Sequence, residues 1–127
     1  MHINEISGAV VDAAINIHES LGPGLLESVY EVLLAHELKQ RGFVVERQVP
    51  VPIQYMGIRF DEGYRLDLLV ENQVIVEIKS VEEISAVHKK QVLTYLKLTN
   101  KPLGLLLNFN SALMKHGITR LVNHLEG

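Results

Sequence analysis

The chain has 127 residues, 47% of them hydrophobic and 21% charged, with no cysteine and a formal net charge of −3. That length serves one domain with a single core, and that hydrophobic content excludes a disordered protein. The lack of cysteine excludes disulfides, thiolate zinc sites and iron–sulfur clusters, and the acidic balance argues against tight non-specific binding of nucleic acid.

No apolar stretch reaches the roughly 18 residues that cross a bilayer. The start, Met1-His2-Ile3-Asn4-Glu5, has neither a basic segment nor an apolar signal core. A cytoplasmic location with no membrane association is therefore the default expectation.

Ile6, Val10, Ala13, Ala14, Ile17 and Leu21 recur at three- and four-residue spacings, which predicts an amphipathic helix with one buried stripe. Asn4 or Ser7 is placed to cap its start, and Gly22-Pro23-Gly24 ends it. A second helix is expected from about Leu25 to Gln40, with Leu26, Val29, Tyr30, Leu33, Leu34 and Leu38 apolar and Gly42 as its stop. From Phe43 the pattern turns to strand, with Val45, Val49, Val51 and Ile53 β-branched. Pro50 and Pro52 interrupt it, so an edge or a bulge is expected there. Met56-Gly57 predicts a turn into Ile58-Arg59-Phe60.

Two apolar runs follow, each carrying charge inside it: Tyr64-Arg65-Leu66-Asp67-Leu68-Leu69-Val70 and Val74-Ile75-Val76-Glu77-Ile78-Lys79. Charge in such a setting conflicts with the local preference for burial, and such conflicts mark functional sites. The runs predict a hairpin. A three-residue loop, Glu71-Asn72-Gln73, pairs Val70 with Val74 and sets Asp67 opposite Glu77. Alternation then puts Lys79 on the face of Glu77, so that three charged groups converge. A two-residue loop would move Asp67 to the other face. Two carboxylates held together repel one another, and a divalent cation resolves the conflict. Hard oxygen ligands suit Mg²⁺ or Mn²⁺ better than zinc. A lysine beside them can orient a water and stabilise charge building on a phosphate, a combination suited to phosphodiester hydrolysis. The alternative is a Glu77–Lys79 surface pair on a solvated sheet face, with Asp67 merely facing it.

A helix is expected from about Ile84 to Leu98, broken by Lys101-Pro102. Leu103-Gly104-Leu105-Leu106-Leu107-Asn108-Phe109 has the continuous apolar character of a strand covered on both faces. A final short helix is expected from near Gly117, carrying Ile118, Leu121, Val122 and Leu125. The order α-α-β-β-β-α-β-α fits a mixed α/β sheet with helices on both faces.

The succession Asp67, then Glu77-Ile78-Lys79, resembles the core motif of the PD-(D/E)XK nuclease superfamily, with Leu66 where a proline usually stands. Gly24, Glu27 and Tyr30 resemble the signature of the GxxExxY proteins, and Gln91-Val92-Leu93-Thr94-Tyr95 the QxxxY element of RecB-like nucleases. These elements stand in the expected order over nearly the whole chain. The resemblance implies a restriction-endonuclease-like fold, an αβββαβ core with an extra N-terminal and C-terminal helix. It implies a metal-dependent nuclease; the expected substrate is nucleic acid, DNA ahead of RNA, a preference that does not come from the resemblance. By resemblance, Glu27 joins Asp67, Glu77 and the Ile78 carbonyl as a ligand of Mg²⁺ or Mn²⁺. Lys79 acts on the nucleophilic water, and Gln91 and Tyr95 orient substrate or water.

Each further candidate has an ordinary reading beside the functional one. Glu27 suits the first turn of a helix for its dipole alone. Tyr30 either reaches into the site or is a core tyrosine with a satisfied hydroxyl. Gln91 and Tyr95 either face the site or straddle an amphipathic boundary. His18 and His88 are candidates for a proton shuttle or phosphate contact, or else caps and surface residues. Arg65 is placed to clamp a phosphate or pair with a carboxylate. Lys39, Arg41, Lys89 and Lys90 offer phosphate contacts or are solvated side chains. The competing function is a non-catalytic nuclease-fold module acting with a partner subunit or as a homodimer. A third is a phosphatase or nucleotide hydrolase with the same metal chemistry, although no Walker-type phosphate loop is present.

Overall fold

A computed structural model of the chain describes residues 1–124. Helix α1 (Ile3–Leu21) buries Ile6, Val10, Ala13, Ala14 and Ile17 as one stripe, while Leu21, at the end, is exposed. Its cap is neither Asn4 nor Ser7 but His2, whose Nδ1 accepts from the Asn4 amide at 3.1 Å. Ser7 lies inside the helix, its hydroxyl donating to the Asn4 carbonyl. Gly22 ends α1 with φ 73°. Helix α2 (Glu27–Gln40) buries Tyr30, Leu34, Ala35 and Leu38. Leu26 and Val29, expected on that stripe, are exposed. The stop at Gly42 is as expected, with φ 93° and the Phe43 amide returning to the Leu38 carbonyl.

The main sheet has the order β1-β4-β5-β6-β7. Its strands are β1 (Val45–Pro50), β4 (Arg65–Val70), β5 (Val74–Lys79), β6 (Leu103–Asn108) and β7 (Ile118–Val122). Pro50 sits at the end of β1, an edge strand, where a missing amide donor costs least. Between β1 and β4 a separate hairpin projects, β2 (Ile53–Tyr55) and β3 (Ile58–Phe60), turned by Met56 and Gly57 at positive φ. Strands β4 and β5 are joined by Glu71, Asn72 and Gln73, and Val70 pairs with Val74. The odd loop length is the one on which the apposition of Asp67 and Glu77 depends. Helix α3 (Ala86–Thr99) carries the chain from β5 to β6, which run parallel.

The sheet separates two clusters of apolar side chains. Val70, Val76, Ile78, Leu105 and Leu107 pack with α1 and α2. Leu69, Ile75 and Leu106 pack with Val92, Tyr95 and Leu96 of α3. All of β6 is buried, as its apolar run predicts. This arrangement is an α/β mixed sheet flanked by helices with the restriction-endonuclease-like αβββαβ core, α2-β1-β4-β5-α3-β6, into which the β2–β3 hairpin is inserted.

The C-terminal helix expected from near Gly117 is absent among the described residues. Met114–Gly117 forms one 3₁₀ turn, and Ile118, Leu121 and Val122 belong to β7, antiparallel to β6. A fully buried strand such as β6 cannot leave its outer amides and carbonyls unpaired, and the β-branched Ile118, Thr119 and Val122 suit a strand. Leu125 lies outside the described residues.

Gly104 sets how closely α3 lies on the sheet. A Cβ there would stand 2.8 Å from Cγ1 of Val92, a stiff β-branched side chain. Gly104→Ala is expected to lower stability by about 1–2 kcal/mol, overpacking exceeding the gain from a less flexible unfolded chain. Adding Val92→Ala should recover most of that loss in urea unfolding. Equal stability of wild type and Gly104→Ala would refute the close approach.

Candidate active site

The ladder between β4 and β5 is paired as far as Leu68 and Val76, one step short of Asp67 and Glu77. There the carboxylates take over. The Ile78 amide donates to Asp67 Oδ2 at 2.8 Å, and the Asp67 amide donates to Glu77 Oε1 at 3.1 Å. On the other side of β4, pairing with β1 skips Asp67 and Gln48, and Gln48 has φ 53°. The alternation of β4 slips at this point: Leu66 packs into the α3 cluster and Leu68 into the α1–α2 cluster, although strict alternation would give them one face. Asp67 thus occupies a break in both of its ladders, the kind of irregularity that re-aims a side chain.

Glu77 is 5% exposed and Asp67 half-buried. Burial, and next the charge of Asp67, push the Glu77 carboxyl up to about 9. Burial also raises Asp67, against the pull of the Ile78 amide. Burial and mutual repulsion thus both oppose charging the two neighbouring carboxyls together. Lys79, half-buried at the end of β5, acts electrostatically on both in the opposite sense. Its ammonium forms no ion pair among those present in the described residues.

Tyr95 closes this face from α3. It is 7% exposed, and its phenol is raised by burial and then by the charges of Glu77, Tyr64 and Asp67, so it stays a neutral donor beside the carboxylates. Gln91, half-buried, lies one turn earlier on the same helix. Asp67, Glu77, Lys79 and Tyr95 are therefore brought to one place.

Glu27 is not brought into that cluster. It is exposed at the start of α2, where Oε2 accepts from the Ser80 amide at 3.2 Å. Among the described residues no three His, Asp or Glu side chains are grouped for one ion. The donors that fit a hard cation are the two carboxylates, with the Ile78 carbonyl on the same strand. Mg²⁺ commonly takes one or two carboxylates and completes its shell with water and substrate phosphate, so a pair suffices. The mutual repulsion of the two carboxyls supports that fit, because a cation between them would offset it.

The acid of α2 that does act on Asp67 is Glu31, which sequence reasoning missed. It is 5% exposed and raises the Asp67 carboxyl through its charge. Arg47 holds it through Nη2 at 3.0 Å and Nε at 3.1 Å, and Gln48 Nε2 donates to it at 2.6 Å. The same Gln48 amide lies 3.5 Å from Asp67 Oδ1. The available signal was weak: Glu31 stands four residues after Glu27, on the same helix face. Asn108 was also missed, inside what reads as an apolar run. Its side chain exchanges hydrogen bonds with both the amide and the carbonyl of Val81, fixing the chain just after Lys79.

Tyr30 takes the place of a core tyrosine with a satisfied hydroxyl. Its ring is fully buried and stacked on Phe109 with centroids 4.3 Å apart. Its hydroxyl donates to the Gly22 carbonyl at 2.6 Å and accepts from the Leu25 amide at 3.1 Å. It clasps the glycine-rich loop that presents Glu27. Tyr30→Phe is expected to cost about 1–2 kcal/mol in thermal unfolding; an unchanged midpoint would show the clasp to be idle.

His88 is likewise a cap: its Nδ1 accepts from the Ser85 amide while Ser85 Oγ accepts from the His88 amide. His18 is buried, with Nε2 donating to the Ser111 carbonyl at 2.7 Å. Arg41 is engaged by Asp12 and Glu37, each at 2.8 Å. The exposed Arg65 donates to the Gln48 carbonyl, and Lys39, Lys89 and Lys90 are exposed.

A sheet broken at an acidic pair, with a lysine two residues after the second acid, defines a nuclease-fold protein. A family model, the PD-(D/E)XK nuclease superfamily, matches residues 4–121, and the chain belongs to that superfamily. No curated protein and no solved structure gives a significant match. No helix of the described residues is long and apolar enough to cross a membrane.

Proposed function

We propose that the chain is a metal-dependent nuclease that hydrolyses phosphodiester bonds of nucleic acid. The observation that carries this reading is the buried Asp67–Glu77 pair, each carboxylate bonded to a backbone amide of the other's strand, with Lys79 beside it. Asp67, Glu77 and the Ile78 carbonyl would hold Mg²⁺ or Mn²⁺. Such an ion supplies Lewis-acid polarisation of the phosphate and neutralises its charge. Lys79 orients the attacking water and stabilises negative charge on the phosphoryl oxygens as the bond to the leaving oxygen breaks. Tyr95, kept neutral, donates a hydrogen bond to a phosphate oxygen, and Gln91 orients substrate from one turn away. Glu27 is the remaining candidate for an outer position, reached through Ser80 rather than by contact with the pair.

The resemblance of Gly24, Glu27 and Tyr30 to the GxxExxY signature, and of Gln91 to Tyr95 to the QxxxY element of RecB-like nucleases, supports the same reading. Gly24, Glu27 and Tyr30 make up one clasped loop and helix start, and Gln91 and Tyr95 share a helix whose Tyr95 packs with Leu66 and Ile75 beside the carboxylates. A second reading is a non-catalytic nuclease-fold module that works with a partner subunit or as a homodimer. It is favoured by the net charge of −3 and by Arg41, Arg47 and Arg59, all tied to acids.

The discriminating experiment is cleavage of labelled single-stranded and duplex DNA and RNA with Mg²⁺ or Mn²⁺, beside Glu77→Ala. Metal-dependent cutting that disappears in the variant supports the nuclease. Absence of cutting on every substrate by folded protein that also takes up no Mn²⁺ in calorimetry would favour the module.

A further inference from the structure

The β2–β3 hairpin is separate from the main sheet and leaves large apolar side chains in solvent: Tyr55, Met56 and Ile58 at its tip, and Phe60 and Tyr64 at its base. The base is fixed while the tip projects. The Val51 amide donates to the Tyr64 carbonyl at 2.9 Å, tying the two ends of the excursion together. Gly63, at φ 102°, takes a left-handed conformation open to glycine and turns the chain so that Tyr64 meets Phe60.

The aromatic side chains at this base form a continuous run into the candidate active site. Phe60 and Tyr64 meet edge to face with centroids 6.4 Å apart, and Tyr64 meets Tyr95 in the same way at 6.5 Å. Tyr95 packs in one cluster with Leu66, the residue before Asp67, and with Ile75, two residues before Glu77 on the same strand face. Phe60 and Tyr64 are nonetheless 48% and 44% exposed, so the run is anchored at the carboxylate end and open at the other. Arg65, exposed, follows directly.

On the basis of the nuclease reading, we propose that Phe60 and Tyr64 form a stacking platform for unpaired nucleobases, so that the preferred substrate is a single-stranded segment or frayed end led along the hairpin base to Asp67 and Glu77. Flat aromatic surface takes any base by its face, and stacking of this kind adds affinity that a chain of net charge −3 does not gain from charge alone. Paired bases hide those faces in the duplex stack, so the platform selects against intact duplex. A protein partner would be expected to use the projecting tip, with Tyr55, Met56 and Ile58. The aromatic surface, in contrast, borders the acidic pair.

The test is anisotropy of a labelled oligo-dT of about 12 nucleotides, against a blunt duplex of the same length, with the full chain carrying Glu77→Gln to prevent cutting. The expected result is tighter binding of the single strand. Tyr64→Ala should weaken that binding about 10-fold, Tyr64→Leu similarly, and Tyr64→Phe little, because stacking needs the ring and not the hydroxyl. Equal affinity for duplex, no binding of the single strand, or an unchanged affinity in Tyr64→Leu would each overturn the platform. So would a dimer of the free chain that Tyr64→Leu disperses, which would assign this surface to a second copy. Cleavage by the wild-type chain separates the two ideas. Cutting without single-strand preference leaves the nuclease standing and removes the platform. Tyr64-dependent binding with no cutting under any metal keeps the platform and removes the nuclease.

Discussion

Lys79→Ala is expected to lower metal-dependent cleavage by about 100- to 1,000-fold, the usual loss when one preorganised group that meets developing charge is removed. The fold should survive. Lys79 is half-buried at a strand end and its ammonium forms no ion pair among those of the described residues, so truncation exposes no partner. A change in stability within about 1 kcal/mol is expected from urea unfolding. Lys79→Arg should recover only part of the activity, since a planar guanidinium does not reproduce a compact ammonium. Full cleavage by a purified, folded Lys79→Ala protein would remove Lys79 from the mechanism.

Glu77→Gln should have two opposite effects: loss of cleavage, and a more stable metal-free protein at alkaline pH. Glu77 ordinarily titrates near 4.5 and in the fold is pushed up to about 9, first by burial and then by Asp67. Between those values the folded chain binds more protons than the unfolded one, so stability falls as pH rises. The stabilising contribution of the neutral carboxyl is complete below the lower value and gone above the upper one. The raised Asp67 carboxyl acts in the same direction. Glutamine stays neutral throughout and keeps an oxygen for the Asp67 amide. Near pH 5 the two proteins should unfold alike. Near pH 8 the variant should be more stable by about 1–3 kcal/mol, a rise of several degrees in midpoint. Mn²⁺ should narrow that gap by stabilising the wild type alone. Identical stabilities at both pH values would show that Glu77 is not held neutral in the fold.

The parts of this site that were legible in the sequence rest on local rules. Apolar runs with charges inside them marked β4 and β5, and the three-residue loop fixed the pairing of Val70 with Val74 that brings Asp67 near Glu77, one step beyond the paired ladder. The prolines marked β1 as an edge, and the uninterrupted apolar run marked β6 as covered on both faces. The spacing of Ile118, Leu121 and Val122 misled, because a short apolar pattern serves helix or strand equally until a neighbour's unpaired edge decides.

What the sequence by itself determined is thus the run of the nuclease core from α2 to β6, the register of the β4–β5 hairpin and the carboxylate pair with its lysine. Only the tertiary structure decided which groups of the helices meet that pair. The Tyr30 hydroxyl is spent on the loop between α1 and α2, which it bonds through Gly22 and Leu25. Glu27 meets Ser80, whereas Glu31, one turn on, is led by Gln48 towards Asp67. Tyr95 reaches the pair because Gly104 admits α3 close to the sheet. The physical reason is reach: alternation and loop length act over a few residues of one hairpin, whereas the placement of a helix on a sheet depends on the volumes of side chains distant in the chain.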